Sequence, residues 1–203
     1  MTGIVTGMRA EAALLRRCPL VACAGSEPET AARALLAAGA TRLLSFGLAG
    51  GLDPALPPGT LVLASEIVTP DHRFVTDAAW AERFPCLLRA PLLGAGRPLC
   101  DRAAKAHAFA LTGAVAVDME SGAVARVAAA AGVPMLAVRA VADPARQAVP
   151  PAALRCVDNQ GRIRLRASLA LLLRHPLAMP VLALQAQAGM AALRAFIRRA
   201  DGL

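Results

Sequence analysis

Four acidic residues, Glu11, Asp118, Glu120 and Asp143, stand where a carboxylate could do chemistry. Two of them interrupt AVAVDMESGAVARVAAAAG, Ala114 to Gly132, between an apolar run and an alanine-rich segment. Carboxylates are rarely buried without a partner, because an ion that leaves water loses its hydration. Asp143 closes the apolar run VPMLAVRAVAD. Desolvation at such a place raises a carboxyl pKa and keeps a proton available near neutral pH, which suits a general acid. The local sequence ADPA also fits a helix N-cap, with Pro144 at the first helical position. Glu11 falls early in a helical segment, where the helix dipole favours an acid.

The elements that must position these acids alternate between short apolar runs and helical patterns. Strands are expected over Gly3 to Met8, Pro19 to Gly25, Thr41 to Gly47, Thr60 to Val68, Ala114 to Val117 and Val133 to Asp143. Ser26 and Glu29 have the spacing of a capping box ahead of TAARALLAAG, which Gly39 would end. GLAGGL, after the third strand, reads as a glycine-rich loop. Residues 69–99 are less regular, with one short helix in DAAWAERF. DRAAKAHAFALTG and ESGAVARVAAAAG read as helices closed by Gly113 and Gly132. The alternation predicts one α/β domain over 1–203, a three-layer αβα arrangement with helices on both faces of a mixed sheet. Ligands of open α/β sheets bind beyond the C-terminal strand ends. Glu11, GLAGG, Asp118 with Glu120, and Asp143 all fall at such ends.

GMRAEAALL, FGLAGGLDPALPPGTLVLA and AVAVDMESGAVARVAAAAGVPMLAVRAVAD, in this order, resemble the nucleoside phosphorylase and nucleosidase superfamily. VDMES and the short length are most similar to its hopanoid-associated phosphorylase branch, which removes adenine from adenosylhopane. The resemblance implies cleavage of the adenine N-glycosidic bond, leaving a ribosyl- or phosphoribosyl-hopane. Such a reaction needs an acid at the base, a grip on the ribose hydroxyls and a nucleophile on the opposite face. By resemblance, Asp143 is the acid for adenine N7, Glu120 accepts hydrogen bonds from the 2′- and 3′-hydroxyls, and Met119 packs against the sugar. Asp118 stands where many relatives carry glutamate and is secondary, a stabiliser of the helix start. Glu11 matches the water-activating position of hydrolytic relatives. Gly7 and Arg9 would instead hold phosphate in phosphorolysis, with inorganic phosphate as co-substrate. Gly47 and the main chain of GLAGG would approach the sugar or an anion. Arg139 would orient the neighbouring carboxylates. Leu48 departs from the serine of hydrolytic relatives, so water and phosphate both stay open. No metal or organic cofactor is implied, and a homodimer is.

The 203 residues suit one sizeable core. Net charge is +8, and Lys105 is the only lysine among 22 basic residues. With no tyrosine and few aromatic side chains, a stacking platform for nucleic acid is not visible. Cys18, Cys23, Cys86, Cys100 and Cys156 form no CxxC, and His72, His107 and His175 have no metal-ligand spacing. Reduced thiols and the lack of a signal-peptide pattern point to the cytoplasm. Residues 167–199 form an amphipathic segment in which Leu182, Ala186, Met190, Leu193, Phe196 and Ile197 share a face. Arg174, His175, Pro176 and Pro180 interrupt it, which argues against a membrane span. Its apolar face would cover the sheet or a second subunit; the alternative is an anionic membrane surface, on the inner face of the membrane. The rival functions are a nucleosidase for soluble methylthioadenosine or adenosylhomocysteine, and a catalytically silent membrane-associated protein that kept the fold.

Overall fold

The longest apolar runs become strands buried along most of their length, as a sheet covered on both faces requires. The computed structural model describes residues 1–200 except 157, 159, 163, 175 and 177. His175, expected to interrupt the tail, lies outside the described residues.

The chain begins with β1 (Thr2–Thr6), α1 (Arg9–Ala12), β2 (Val21–Cys23), α2 (Pro28–Ala37), β3 (Arg42–Gly51) and β4 (Leu61–Val68). It continues through β5 (Arg73–Val75), α3 (Ala78–Ala81), β6 (Leu88–Gly94), α4 (Arg102–Thr112), β7 (Ala116–Asp118) and α5 (Ser121–Ala131). Then come β8 (Met135–Asp143), α6 (Leu165–Arg174) and α7 (Ala178–Arg199). The sheet is mixed. β3 runs parallel to β1 and β8 and antiparallel to β7. β4 is antiparallel to β8 and β5 and parallel to β6, which in turn is parallel to β7. Strands β3, β8, β4, β6 and β7 therefore close into a ring, and β1–β2 and β5 extend from it.

Helices cover both faces, as expected. Ala32 and Leu35 of α2 pack with Val124, Val127 and Ala128 of α5 in one core cluster. Leu193 and Phe196 of α7, with Trp80 of α3, pack against Phe46, Leu136 and Val138 in a second. Helices α4 and α5 end where glycine adopts the left-handed conformation, at Gly113 (φ 69°) and Gly132 (φ 63°).

Several local expectations are corrected. GLAGG is not a loop: β3 continues through Gly51, paired with both β7 and β8. The Ser26–Glu29 capping box does not form; Glu27 occupies the N-cap and no side chain caps it. No helix follows Asp143, so the N-cap reading of ADPA fails. The irregular middle holds two strands, β5 and β6. Of the other expected breaks, Arg174 ends α6, Pro176 lies between the helices and Pro180 falls in the first turn of α7, which continues past it. Met179–Arg199, which includes Pro180, is long and apolar enough by composition to cross a membrane, although Leu193 and Phe196 are buried in the core.

Candidate active site

The acids converge because the ends of β7 and β8 and the start of α1 meet beside the glycine-bearing half of β3. Glu11 sits in the first turn of α1 and is almost fully buried. Its Oε2 accepts hydrogen bonds from the backbone N–H groups of Gly7 (3.1 Å) and Met8 (2.9 Å). Its Oε1 accepts a third, from Leu48 N–H on β3 at 2.8 Å. These donors and the charge of Arg139 favour the carboxylate, but burial outweighs them and raises the pKa.

Arg139, on β8, is fully buried, and its guanidinium organises two more of the acids, Asp118 and Glu120. Nε donates to Asp118, and Nη2 donates to Ser45 Oγ at 2.7 Å and Glu120 Oε2 at 3.1 Å. Nη1 is buried without a hydrogen-bond partner among the described residues. A Cβ at Gly47 would lie 2.5 Å from Nη1 and 2.6 Å from Glu11 Oε1. Only glycine leaves room there for the Arg139 and Glu11 side chains to pack against the strand. A Cβ at Gly7 would collide with Glu120 Oε1.

Asp118 ends β7 and accepts from both Ser121 N–H and Ser121 Oγ, so it also secures the start of α5. Glu120 is the α5 N-cap residue. Burial pushes its pKa up to about 7, against the attraction of Arg139 and with added repulsion from Asp118 and Glu11. Asp143 ends β8 just past a bulge: Ala49 pairs with Val141, and Gly50 pairs with Asp143. The extra residue re-aims the strand end. Burial raises the Asp143 pKa, while an ion pair with Lys105 opposes the rise.

Glu11, Asp118, Glu120 and Asp143 all line one cavity of about 510 Å³. Met119, 46% exposed, is on its wall, as are Gly7 and the apolar Leu48, Pro98, Leu99 and Val149. Two expected members fall elsewhere. Gly47 is not on the wall; it lies behind Glu11 and Arg139, and the neighbouring Leu48 N–H is held by Glu11. Arg9 points away from the cavity: its side chain is exposed and donates to Gln160 O at 3.4 Å, and its N–H donates to Gly161 O. Sequence reading missed Ser45, and it gave no role to Lys105. The one available signal for Lys105 was its solitude in an arginine-rich chain. Among the described residues no cluster of histidine, cysteine and acidic side chains could hold a metal ion.

No curated protein sequence matches the chain. Solved structures share its fold at low sequence identity. Futalosine hydrolase of Helicobacter pylori superposes with a TM-score of 0.70 at 17% identity, over 98% of this chain and 97% of that one. The 5′-methylthioadenosine/S-adenosylhomocysteine nucleosidase of Campylobacter jejuni gives 0.65 at 18%, over 96% and 98%. A mutant Helicobacter pylori nucleosidase with 5′-methylthioadenosine in its active site gives 0.68 at 18%, over 98% and 99%. The family model for the phosphorylase superfamily matches residues 26–86 and 87–174, most of the length that carries the sheet and its acids, and the chain belongs to that superfamily.

Proposed function

We propose that this chain is a nucleosidase that hydrolyses the adenine N-glycosidic bond of adenosylhopane, releasing adenine and a ribosyl-hopane. The observation that carries the reading is the gathering of Glu11, Glu120 and Asp143 around one nucleoside-sized cavity. Asp143 gives its proton to adenine N7 as the C1′–N9 bond breaks and its electrons pass into the purine. The burial that raises its pKa suits it to hold that proton near neutrality. Glu120 takes hydrogen bonds from the 2′- and 3′-hydroxyls, which favour its ionised form and thereby the cationic sugar. Met119 packs against the ribose.

Water is favoured over phosphate. The Gly7, Met8 and Leu48 N–H groups that could cradle an anion are already bonded to Glu11. Arg9 is turned toward Gln160. A phosphate would meet a wall that carries Glu11, Asp118, Glu120 and Asp143 with Arg139 buried behind it, and each of these acids in its ionised form repels an anion. Glu11 instead accepts a proton from the water that attacks C1′.

The apolar walls, Leu48, Pro98, Leu99 and Val149, support a hydrocarbon-bearing 5′ substituent. So do the exposed Leu165, Leu169, Leu172 and Leu173 of α6, beyond a segment whose Ala153 and Asp158 reach the cavity. A second reading, cleavage of soluble methylthioadenosine or adenosylhomocysteine, is favoured by the nucleosidases that share the fold. Competition between adenosylhopane and methylthioadenosine for adenine release separates the two. In the main test, adenine release from adenosylhopane proceeds equally with and without phosphate. Asp143→Asn lowers it at least roughly 100-fold. Dependence on phosphate would overturn hydrolysis, and an active Asp143→Asn variant would remove the proton donor.

A further inference from the structure

Lys105 is fully buried in the first turns of α4. An ammonium taken out of water is costly unless each of its protons finds an acceptor. Here each does: Nζ donates to Asp143 Oδ2, to Pro144 O at 3.2 Å and to Gln147 O at 3.0 Å. An apolar side chain would fill the same place at no electrostatic cost. The chain keeps a charge there, and it is the single lysine of the sequence.

The contacts tie two things together. The ammonium holds one oxygen of the acid at the end of β8, and it pins the backbone of residues 144–147 leading to Val149 on the cavity wall. As Asp143 gives up its proton, its O–H bond breaks, the N7–H bond forms and a negative charge grows on the carboxylate. A cation already in contact stabilises that charge without reorganisation.

We infer that Lys105 is the positioning residue of the proton donor, fixing Asp143 through Oδ2 and offsetting the charge it acquires as the base departs. The inference rests on Asp143 being that donor. Among the described residues, the other titratable groups around Asp143 are Cys100 and Asp101, just ahead of α4, and Glu11, Asp118, Glu120 and Asp158 on the wall of the same cavity. Lys105 is the cation in direct contact with it.

The test pairs adenosine, which carries the same adenine–ribose bond as adenosylhopane, with 4-nitrophenyl β-D-riboside, whose leaving group departs without a proton. Lys105→Met lowers kcat/KM for adenosine by roughly 10- to 100-fold, with KM little changed. It spares the nitrophenyl riboside to within about threefold, because no proton is given there. Without the cation Asp143 keeps its proton to higher pH, so the alkaline limb of the adenosine profile moves up. Lys105→Arg restores the limb. Equal losses on both substrates, or an unmoved limb, would overturn the inference.

Wild-type protein labelled with 15N-lysine provides a measurement that needs no folded Lys105→Met variant. It contains one lysine Nζ resonance. That resonance shifts across the pH range of the alkaline limb and moves in Asp143→Asn; a signal indifferent to both overturns the role. An active Asp143→Asn variant overturns the donor assignment and this inference together. An inactive Asp143→Asn beside a wild-type-like Lys105→Met overturns this inference alone.

Discussion

Arg139 contacts Asp118 and Glu120 and lies close to Glu11, so one guanidinium faces three buried carboxyl groups. Burial makes the ionised forms of such a cluster costly, and it raises the pKa values of Glu11 and Glu120 against the pull of Arg139. The sign for stability follows. Glu120 titrates near 7 in the folded chain, above its ordinary value of 4.5. Its contribution is complete below the unfolded pKa and is lost as pH rises through the folded one. Glu11 and Asp143, also raised, act in the same direction. The urea midpoint is therefore expected to fall between pH 5 and pH 8, and Glu120→Gln flattens that dependence. A midpoint that climbs over this range would contradict the raised values. Glu120 and Asp143 stood out in the sequence because each follows or ends an apolar run, whereas Glu11 fits an ordinary first helical turn and stood out only by its place after the first strand and by resemblance. Lys105 was not legible: AAKAHAF reads as an ordinary helix with an outward lysine. Its partner is 38 residues away, a distance that no local pattern encodes.

At the scale of elements, β3 decides whether these charges can coexist. Its glycines made it look like a loop, since glycine weakens an isolated strand. In the folded chain the ladder to β8 and β7 overrides that preference, and the missing side chains become space for Glu11, Arg139 and Asp143. Gly47→Ala places a methyl group against both Arg139 Nη1 and Glu11 Oε1. Overpacking of this kind costs about 1–3 kcal/mol. The expected outcome is a lower Tm and a loss of adenine release of at least roughly tenfold, because displaced catalytic groups lose their alignment. Unchanged melting and activity would show that the cluster has slack. β6 escaped sequence reading because Pro91 sits within it and proline demotes a strand pattern. β5 escaped because three residues carry no periodicity. The caps at Gly113 and Gly132 were legible because a left-handed residue is a local requirement.

For the whole molecule, a net charge of +8 meets an exposed leucine surface on α6. Arg164, Arg166 and Arg174 are exposed beside it. Arginines around an apolar face suit anionic lipid. The protein is expected to co-sediment with vesicles of phosphatidylglycerol at low ionic strength and to be released by salt. Leu169→Ser with Leu173→Ser weakens that binding while leaving adenosine cleavage intact. No co-sedimentation at low salt would leave the lipid-facing role without support. The closed ring of strands has another result. Among the described residues it leaves the sheet two open margins, β2 and β5, each three residues long. A stray strand from another copy finds too short a template there to add itself, so the architecture guards against edge-to-edge polymerisation at high concentration.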